Sequence, residues 1–269
     1  MKKFVLGLLI AATLVSAVYG QRAAKSSATL KVGATVVPHA ELLNLVKADL
    51  AKQGITLQVV EYQDYVQPNE ALVSGDLDAN YFQHLPYLQS NERWNNALAT
   101  AFGVHVEPLG LYSAKLKKIG DLKNGAVIGI PNDPSNGGRA LLLLQANKLI
   151  TLKDGTANLS PSPRDITANP KNLQFRELEA AQLPRSLPDL DAAVINGNYA
   201  LQAGFTSGQA LIIEGADSPY VNYVVVRKGS ENDPRILALK KALLTTKVKN
   251  YIKKKWGGAN AELSVIAAF

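Results

Sequence analysis

Hydrophobic and polar positions along the first third of the chain follow two periods, one of two residues and one of three to four. Residues 29–35 alternate as a strand does, and Pro38 opens a helix with apolar positions at helical spacing. Residues 55–62 predict a second strand, 69–73 a short helix and 77–82 a third strand. Such alternation is typical of parallel sheets with right-handed crossovers and helices on both faces.

The same order of elements returns further along the chain. Its predicted members are a strand at 126–131, a helix at 139–149, a strand at 172–178, a helix at 179–187 and a strand at 192–195. The motif Asp-Leu-Asp-Ala, which begins at Asp76, also returns 113 residues later at Asp189. A four-residue match alone carries little weight, but with the repeated order it predicts two similar α/β lobes.

Two extended segments, 103–112 and 220–227, are predicted to join the lobes as a two-strand hinge. The end of the chain is predicted to be helical through 236–255 and to pack back on the first lobe. The predicted boundaries place 29–108 and 223–269 in lobe 1, and 109–222 in lobe 2. Because small ligands bind at strand ends and domain junctions of α/β proteins, the cleft between the lobes is the predicted site.

The first twenty residues predict a secretory leader. Lys2 and Lys3 precede an apolar run over 4–18, which is shorter than the roughly 20 residues that span a bilayer. Cleavage is predicted after Gly20, with a site near Ala17 and Val18 or an uncleaved anchor as alternatives. Residues 21–28 would then form a polar tether.

Composition narrows the chemistry. The chain has 269 residues, 47% of them hydrophobic, a net charge of +7, three histidines and no cysteine. The lysine clusters do not interleave with aromatics, so no nucleic-acid binding is expected. The sequence also lacks a paired-His helix, an acidic calcium loop, a G-x-S-x-G elbow and a phosphate-binding glycine loop. No metal site, cofactor or enzymatic activity is therefore expected.

The run after Pro131 has features of an anion site. Residues 132–138 form a predicted turn, and the helix that follows begins with Arg139. Free amides at a helix N-terminus and a planar guanidinium both suit a carboxylate. Gly137 and Gly138 are predicted to let the backbone approach a ligand closely. The alternative is an ordinary capped helix with a solvated arginine.

Aromatic and amide side chains supply the rest of a predicted pocket. Phe82, His84 and Tyr87 lie at the end of the third strand, and Tyr65 is predicted to add another wall. Ordinary core packing for Phe82 and a capping turn at Tyr65 are the alternatives. Amides follow later strands, at Asn196, Asn198 and Asn222. Because an amide can accept from an ammonium and donate to a carboxylate, the set describes an amino-acid pocket, although each amide alone is also typical of a turn cap.

Five strings carry a resemblance to a known family: PNEALVSGDLDANYFQHLPYL, IPNDPSNGGRALLLLQ, LEAAQLPRSL, AVINGNYAL and SPYVNYVVV. From about Lys31 to the C-terminus the chain resembles the NlpA/MetQ family of substrate-binding proteins of methionine ABC importers. The resemblance implies a type II periplasmic-binding-protein-like fold that closes on L-methionine. D-methionine, a methionine-containing dipeptide or another amino acid, and a surface adhesin role, are the alternatives. It also implies a monomer that docks on a permease powered by an ATPase.

The same resemblance implies roles for individual residues. Arg139 would hold the ligand carboxylate, and Asn198 and Asn222 the rest of its polar backbone. The thioether would lie among Tyr65, Phe82, His84 and Tyr87, with Asn136 and Asn196 as contacts or supports. Glu177, Glu179 and Arg185 would serve lobe packing or transporter docking. Most members are lipoproteins anchored through a cysteine, which this chain lacks. The expected location is therefore the periplasm or the outer face of the inner membrane, without a cysteine-linked lipid.

Overall fold

The chain folds into two α/β lobes in a computed structural model that describes residues 28–155, 160–215, 218–257 and 265–269. The predicted leader and residues 21–27 of the predicted tether lie outside the described residues. The strands are β1 (Ala28–Thr35), β2 (Ile55–Tyr62), β3 (Ala79–His84), β4 (Leu98–Val106), β5 (Gly110–Tyr112), β6 (Val127–Pro131), β7 (Thr151–Leu152), β8 (Ile166–Ala168), β9 (Gln174–Leu178), β10 (Ala192–Ile195), β11 (Ile212–Ile213), β12 (Val221–Arg227) and β13 (Ile266–Ala267).

The helices cover both sheets and the C-terminal part of the chain. They are α1 (Glu41–Ala51), α2 (Gln67–Ser74), α3 (Leu85–Gln89), α4 (Glu92–Ala97), α5 (Pro134–Ala146), α6 (Leu183–Ser186), α7 (Gly197–Gln202), α8 (Pro234–Leu243) and α9 (Thr246–Trp256). A short turn (Val36–Ala40), extended at Val37, leads into α1, and five short 3₁₀ turns link other elements in the described part of the chain. Within the residues that the structure describes, no helix has both the length and the apolar character that crossing a bilayer requires.

Each lobe is built on its own sheet. The first sheet has the order β13-β4-β12-β3-β1-β2, and the second has the order β11-β5-β10-β6-β9. β1 pairs in parallel with β2 and β3, as β6 does with β9 and β10. The predicted parallel sheets with crossover helices are therefore confirmed. The C-terminal helices pack on the first sheet, where Leu239, Ile252 and Trp256 join the core around Leu30.

The repeated Asp-Leu-Asp-Ala motif has the same structural role in both lobes. In the first lobe, Asp78 accepts the Lys31 amide through Oδ2 at 2.8 Å, and its own amide donates to the Lys31 carbonyl. In the second lobe, Asp191 makes the same two contacts with Val127, also with a 2.8 Å side-chain bond. Each aspartate thus ties the entry of one strand to the neighbouring parallel strand, which supports the prediction of two similar lobes.

The connection between the lobes differs from the predicted two-strand hinge. Most of 103–112 lies in β4 and β5, and nearly all of 220–227 forms β12 inside the first sheet. The outward crossing is residues 107–109, and the return runs between β11 and β12. The predicted boundary between 222 and 223 also falls inside β12, because Asn222 pairs with β3 and β4.

Two predicted helices are broken. The predicted helix over 236–255 is α8 and α9, because the backbone leaves the helical conformation at Leu244, and Thr245 then caps α9 by accepting the Val248 amide. The predicted helix over 179–187 is α6 between two 3₁₀ turns. Pro184 and Pro188 explain the break, because neither can donate a backbone hydrogen bond.

Candidate functional site

The cleft between the lobes contains all nine residues that the sequence nominated. The space between its lining atoms amounts to about 320 Å³, part of which is open to solvent. Its lining residues are Tyr65, Phe82, Gln83, His84, Tyr87, Glu107, Asn136, Arg139, Asn196, Gly197, Asn198 and Asn222. The nine come from both lobes, and each lobe contributes a chemically different wall to the cleft.

The wall from the first lobe is mostly aromatic. Phe82 lies near the end of β3, and Tyr87 lies on α3, which follows directly. The Tyr65 ring centroid lies 5.8 Å from that of Phe82 and 5.6 Å from that of Tyr87. Rings at such distances form an apolar slot that suits an unbranched thioether side chain.

His84 closes one end of this slot as a neutral imidazole. Its Nδ1 caps α3 by accepting the Tyr87 amide at 3.2 Å, so Nε2 carries the proton and donates to Asn136 Oδ1 at 3.1 Å. Burial, with the nearby Arg139 charge, lowers the pKa of His84 to about 3. His84 thus joins the aromatic wall to the polar wall as a hydrogen-bond donor.

The polar wall begins with α5, which starts five residues earlier than predicted. Asp133 caps the helix by accepting the Asn136 amide at 2.8 Å, and Pro134 follows it. Gly137 and Gly138 therefore lie inside α5. A Cβ at Gly137 would lie 2.7 Å from the Pro131 oxygen, and at Gly138 2.5 Å from Ser160 Cα. These glycines serve helix packing; the prediction that they let backbone approach a ligand is wrong.

Arg139 lies in the second turn of α5 and is only 3% exposed. Its Nε donates to Glu214 Oε1 at 2.8 Å, and Nη2 donates to Glu214 Oε2 and to the Glu107 carbonyl at 2.8 Å. The guanidinium also lies 4.0 Å from the centroid of the Tyr220 ring. Nη1 has no hydrogen-bond partner among the described residues. Arg139 is therefore neither solvated nor simply free for an anion, because Glu214 already pairs its charge.

Glu214 also fastens the two crossings to each other. Its Oε2 accepts the Leu109 amide at 3.0 Å, and its own amide donates to the Leu109 carbonyl at 2.9 Å. Sequence reasoning missed Glu214, which comes shortly after the edge strand β11. Its contact with Arg139 spans 75 residues, and no local pattern identifies a pair so far apart.

The amides carry the unused hydrogen-bonding capacity of the cleft. Asn196 donates to Asn136 Oδ1 at 2.7 Å, and Asn198 Oδ1 accepts from the Tyr65 hydroxyl at 2.6 Å. Among the described residues, Asn196 Oδ1 and Asn198 Nδ2 have no hydrogen-bond partner, although both are buried. One acceptor and one donor are thus available, which is what a zwitterion requires.

A buried network reaches the cleft at Glu107. Its Oε1 contacts His105 Nε2 at 2.7 Å and His39 Nε2 at 3.2 Å. The opposite ring nitrogens meet hydroxyls: His39 Nδ1 lies 2.8 Å from Thr35 Oγ1, and His105 Nδ1 contacts the Tyr81 hydroxyl. Burial lowers the pKa of His39 to about 4 and of His105 to about 3.

This network was not predicted. The one sequence signal for it is that Glu107 is the single acid in residues 103–112, which are mostly apolar. The donor atoms of His39, His105 and Glu107 lie within 4.8 Å of one another, a spacing that a metal would accept. Each of these atoms already takes part in a hydrogen bond. We therefore interpret the group as a hydrogen-bonded network. Asn222 belongs to it, since its Oδ1 lies 3.2 Å from His39 Nε2.

Three further residues that the resemblance singled out do not line the cleft, although Glu179 lines a neighbouring groove that also includes Tyr65 and Tyr87. Glu177, Glu179 and Arg185 are all exposed on the second lobe. Exposure does not suit lobe packing, so of their two suggested roles the contact with a transporter is the one that stays a prediction.

The two sheets, the crossings and the cleft define a class of protein: a two-lobe α/β binding protein of the periplasmic type. The chain belongs to the NlpA lipoprotein family, whose model matches residues 30–264. It is 42% identical over 232 residues to the membrane lipoprotein TpN32 of Treponema pallidum, covering 86% of each chain. It is 38% identical to the methionine-binding lipoprotein MetQ of Bacillus subtilis, covering 96% of this chain and 98% of that one.

A solved relative carries a ligand. The structure of a nutrient-binding protein from Burkholderia cenocepacia bound to methionine is 44% identical in sequence, with a TM-score of 0.84. The match covers 89% of this chain and all of that one. The type II binding-protein fold implied by the resemblance is therefore confirmed.

Proposed function

We propose that this protein is an extracytoplasmic methionine-binding protein that delivers its ligand to an ABC importer, and that it has no catalytic role. One observation carries the proposal: the cleft joins an aromatic slot to a buried free acceptor, Asn196 Oδ1, and a buried free donor, Asn198 Nδ2. An α-amino acid with an apolar side chain has the matching groups. The relatives named for methionine, and the one bound to it, support this ligand.

Within that function each wall has its own part. Arg139 Nη1 and Asn198 Nδ2 donate to the ligand carboxylate, and Asn222 helps to position it. Tyr65, Phe82 and Tyr87 surround the thioether, while His84, Asn136 and Asn196 hold the polar wall in register. Residues 29–108 and the C-terminal part form one lobe and residues near 109–220 the other. The lobes close around the ligand as rigid bodies.

Partners and location follow from the same proposal. The exposed side chains of Glu177, Glu179 and Arg185 on the second lobe suit contact with a membrane permease that a cytoplasmic ATPase drives. The binding protein acts as a monomer outside the inner membrane. The chain contains no cysteine, so it works without the thioether-linked lipid of lipoproteins.

Calorimetric titration tests the proposal. The protein is unfolded, dialysed to remove copurified ligand, refolded, and titrated in parallel with L-methionine, D-methionine and glycyl-methionine. Saturable one-to-one binding of L-methionine is the expected result. Tighter binding of D-methionine or of the dipeptide would change the ligand but keep the function. Absence of heat from all three, for a chain with a folded circular dichroism spectrum, would contradict it.

A further inference from the structure

Glu107 is the buried acid of the cleft that no cation pairs. Its side chain is 6% exposed, and it lines the space between the lobes. The other charged residue that lines this space is Arg139, which pairs with the partly buried Glu214 outside the lining. Arg139 does reach Glu107, but through the backbone carbonyl. A buried carboxylate without a counter-charge is costly, so this position favours a positively charged ligand group.

Burial raises the pKa of Glu107, while His39, Arg139 and a hydrogen bond from the Asn198 amide act in the opposite direction. The surrounding hydrogen bonds fit the ionised form of the carboxylate. His105 Nε2 is hydrogen-bonded to Oε1 at 2.7 Å, while His39 Nε2 lies 3.2 Å from Oε1 and is hydrogen-bonded to Asn222 Oδ1. Asn222 Oδ1 only accepts, so His39 Nε2 carries a proton. Beside an ionised Glu107, which also only accepts, His105 Nε2 carries a proton too, and each Nδ1 is then bare. The Thr35 and Tyr81 hydroxyls then donate to those Nδ1 atoms, and every polar atom in the chain of bonds is satisfied. The imidazoles thus stabilise the carboxylate as neutral donors and leave its negative charge in place.

The second carboxylate oxygen faces a residue without a side chain. A Cβ at Gly197 would lie 2.8 Å from Glu107 Cβ and 3.2 Å from Oε2. Any other residue at 197 would crowd this oxygen, which lies beside the start of α7. Asn196, whose free Oδ1 is the other acceptor of the cleft, directly precedes Gly197.

We infer that Glu107 is the counter-charge for the ammonium group of the ligand, held in place by His39 and His105. The inference deepens the proposed function and rests on it: it makes the ligand an α-amino acid with a free, protonated amino group. Asn196 Oδ1 supplies a second acceptor to the same ammonium. The carboxylate of the ligand binds separately, on the side of Arg139.

The test compares two ligands on three proteins. L-methionine and 4-(methylthio)butanoate share the thioether and the carboxylate, and only methionine has the ammonium. Calorimetry is run on the parent, on Glu107→Gln and on Glu214→Gln, which makes the same substitution at the partly buried acid that pairs with Arg139. Glu107→Gln is expected to weaken methionine binding at least about 10-fold while changing the analogue by less than about threefold. Glu214→Gln, which disturbs Arg139, is expected to weaken both ligands by similar factors.

The contrary results are equally distinct. If Glu107→Gln weakens both ligands by the same factor, or neither, Glu107 only shapes the crossing and the inference is wrong. If Glu107→Gln does not fold, the parent still decides: a preference for methionine over the analogue of less than about threefold excludes recognition of the ammonium by a buried charge. If the parent binds neither methionine nor the analogue, it is the proposed function that fails.

Discussion

In the first lobe Leu77 lies over Gly33 of β1, and in the second lobe Leu190 lies over Gly129 of β6. A Cβ at Gly33 would meet Leu77 Cδ1 at 2.5 Å, and one at Gly129 would meet Leu190 Cδ1 at 2.6 Å. Both leucines belong to the repeated Asp-Leu-Asp-Ala motif, whose second aspartate ties the same pair of strands in each lobe. The framework of the two lobes is thus alike down to single contacts.

The strand ends that face the cleft are not alike. β3 of the first lobe ends in Phe82 and His84, and its wall is aromatic. β10 of the second lobe ends just before Asn196, and its wall consists of amides and Arg139. The repeat preserves what holds a parallel sheet together, while the ends of the strands carry the ligand chemistry. This agrees with the rule that open α/β sheets bind ligands at the carboxyl ends of their strands.

The largest expected effect tests the polar wall. Arg139→Ala removes the buried guanidinium and leaves the partly buried Glu214 carboxylate without its partner. We expect methionine affinity to fall by about 2–5 kcal/mol, as for truncated buried charge pairs. Calorimetry measures the change, and Arg164→Ala, at an exposed arginine of the same lobe, is the control. Binding as tight as that of the parent would show that Arg139 only stabilises the segments that connect the two lobes.

The next prediction compares the framework of the two lobes. Gly129→Ala is expected to lower the free energy of unfolding by about 3 kcal/mol and Gly33→Ala by about 1 kcal/mol, within the usual range for overpacking. Beyond the leucine, a Cβ at Gly33 would meet only the Tyr62 ring, at 3.0 Å, whereas one at Gly129 would meet both Leu183 Cδ2 at 2.9 Å and Ala193 Cβ at 3.2 Å. Urea unfolding of both variants measures the difference. The reverse order would mean that Leu77 yields less easily than Leu190.

Much of this framework could be read from the sequence because its signals are local. The strands predicted at 55–62 and 192–195 match β2 and β10, since β-branched runs between turn residues need no distant information. The start of α5 was also readable, because Asp133 before Pro134 is an N-cap signal. The prediction placed weight on the glycines instead and began the helix five residues late.

The nine nominated residues meet in one cleft because most were chosen on segments that follow a strand, and such segments converge in this fold. Asn136 was nominated from the family resemblance alone. The pairings within the cleft could not be predicted. Arg139 with Glu214, and Glu107 with His39, join residues far apart in sequence, through crossings that look like ordinary loops. Such pairs depend on how the lobes meet, which no periodicity records.

The pH dependence of stability tests the contact between His84 and Asn136, which joins the aromatic wall to the polar wall. His84 has a pKa of about 3 in the folded protein and an ordinary value near 6.5 in the unfolded chain. Between these values the unfolded state binds the extra proton, so stability falls as pH falls from 6.5 toward 3. At pH 5 the loss from His84 is about 2 kcal/mol. His84→Asn, which can still cap α3, should show that much less destabilisation between pH 7 and pH 5.

Urea unfolding of parent and variant at both pH values measures this difference, and the contributions of His39 and His105, which are common to both proteins, cancel. Equal losses in the two proteins would mean that His84 is accessible to a proton in the folded state. That result would also contradict its assignment as a neutral donor to Asn136.

The smallest expected effect concerns the hydrogen bond between Tyr65 and Asn198, which crosses the cleft. The Tyr65 hydroxyl from the first lobe donates to Asn198 Oδ1 in the second at 2.6 Å. This bond fixes the orientation of the Asn198 amide, whose Nδ2 has no partner among the described residues. Tyr65→Phe keeps the ring in the aromatic slot and leaves one buried acceptor unpaired, so methionine affinity should fall by about 1 kcal/mol. Tyr62→Phe, at a partly exposed ring outside the cleft, is the matched control. If Tyr65→Phe binds methionine as the parent does, Asn198 is oriented by its own lobe, and the two walls would be independent parts of the site.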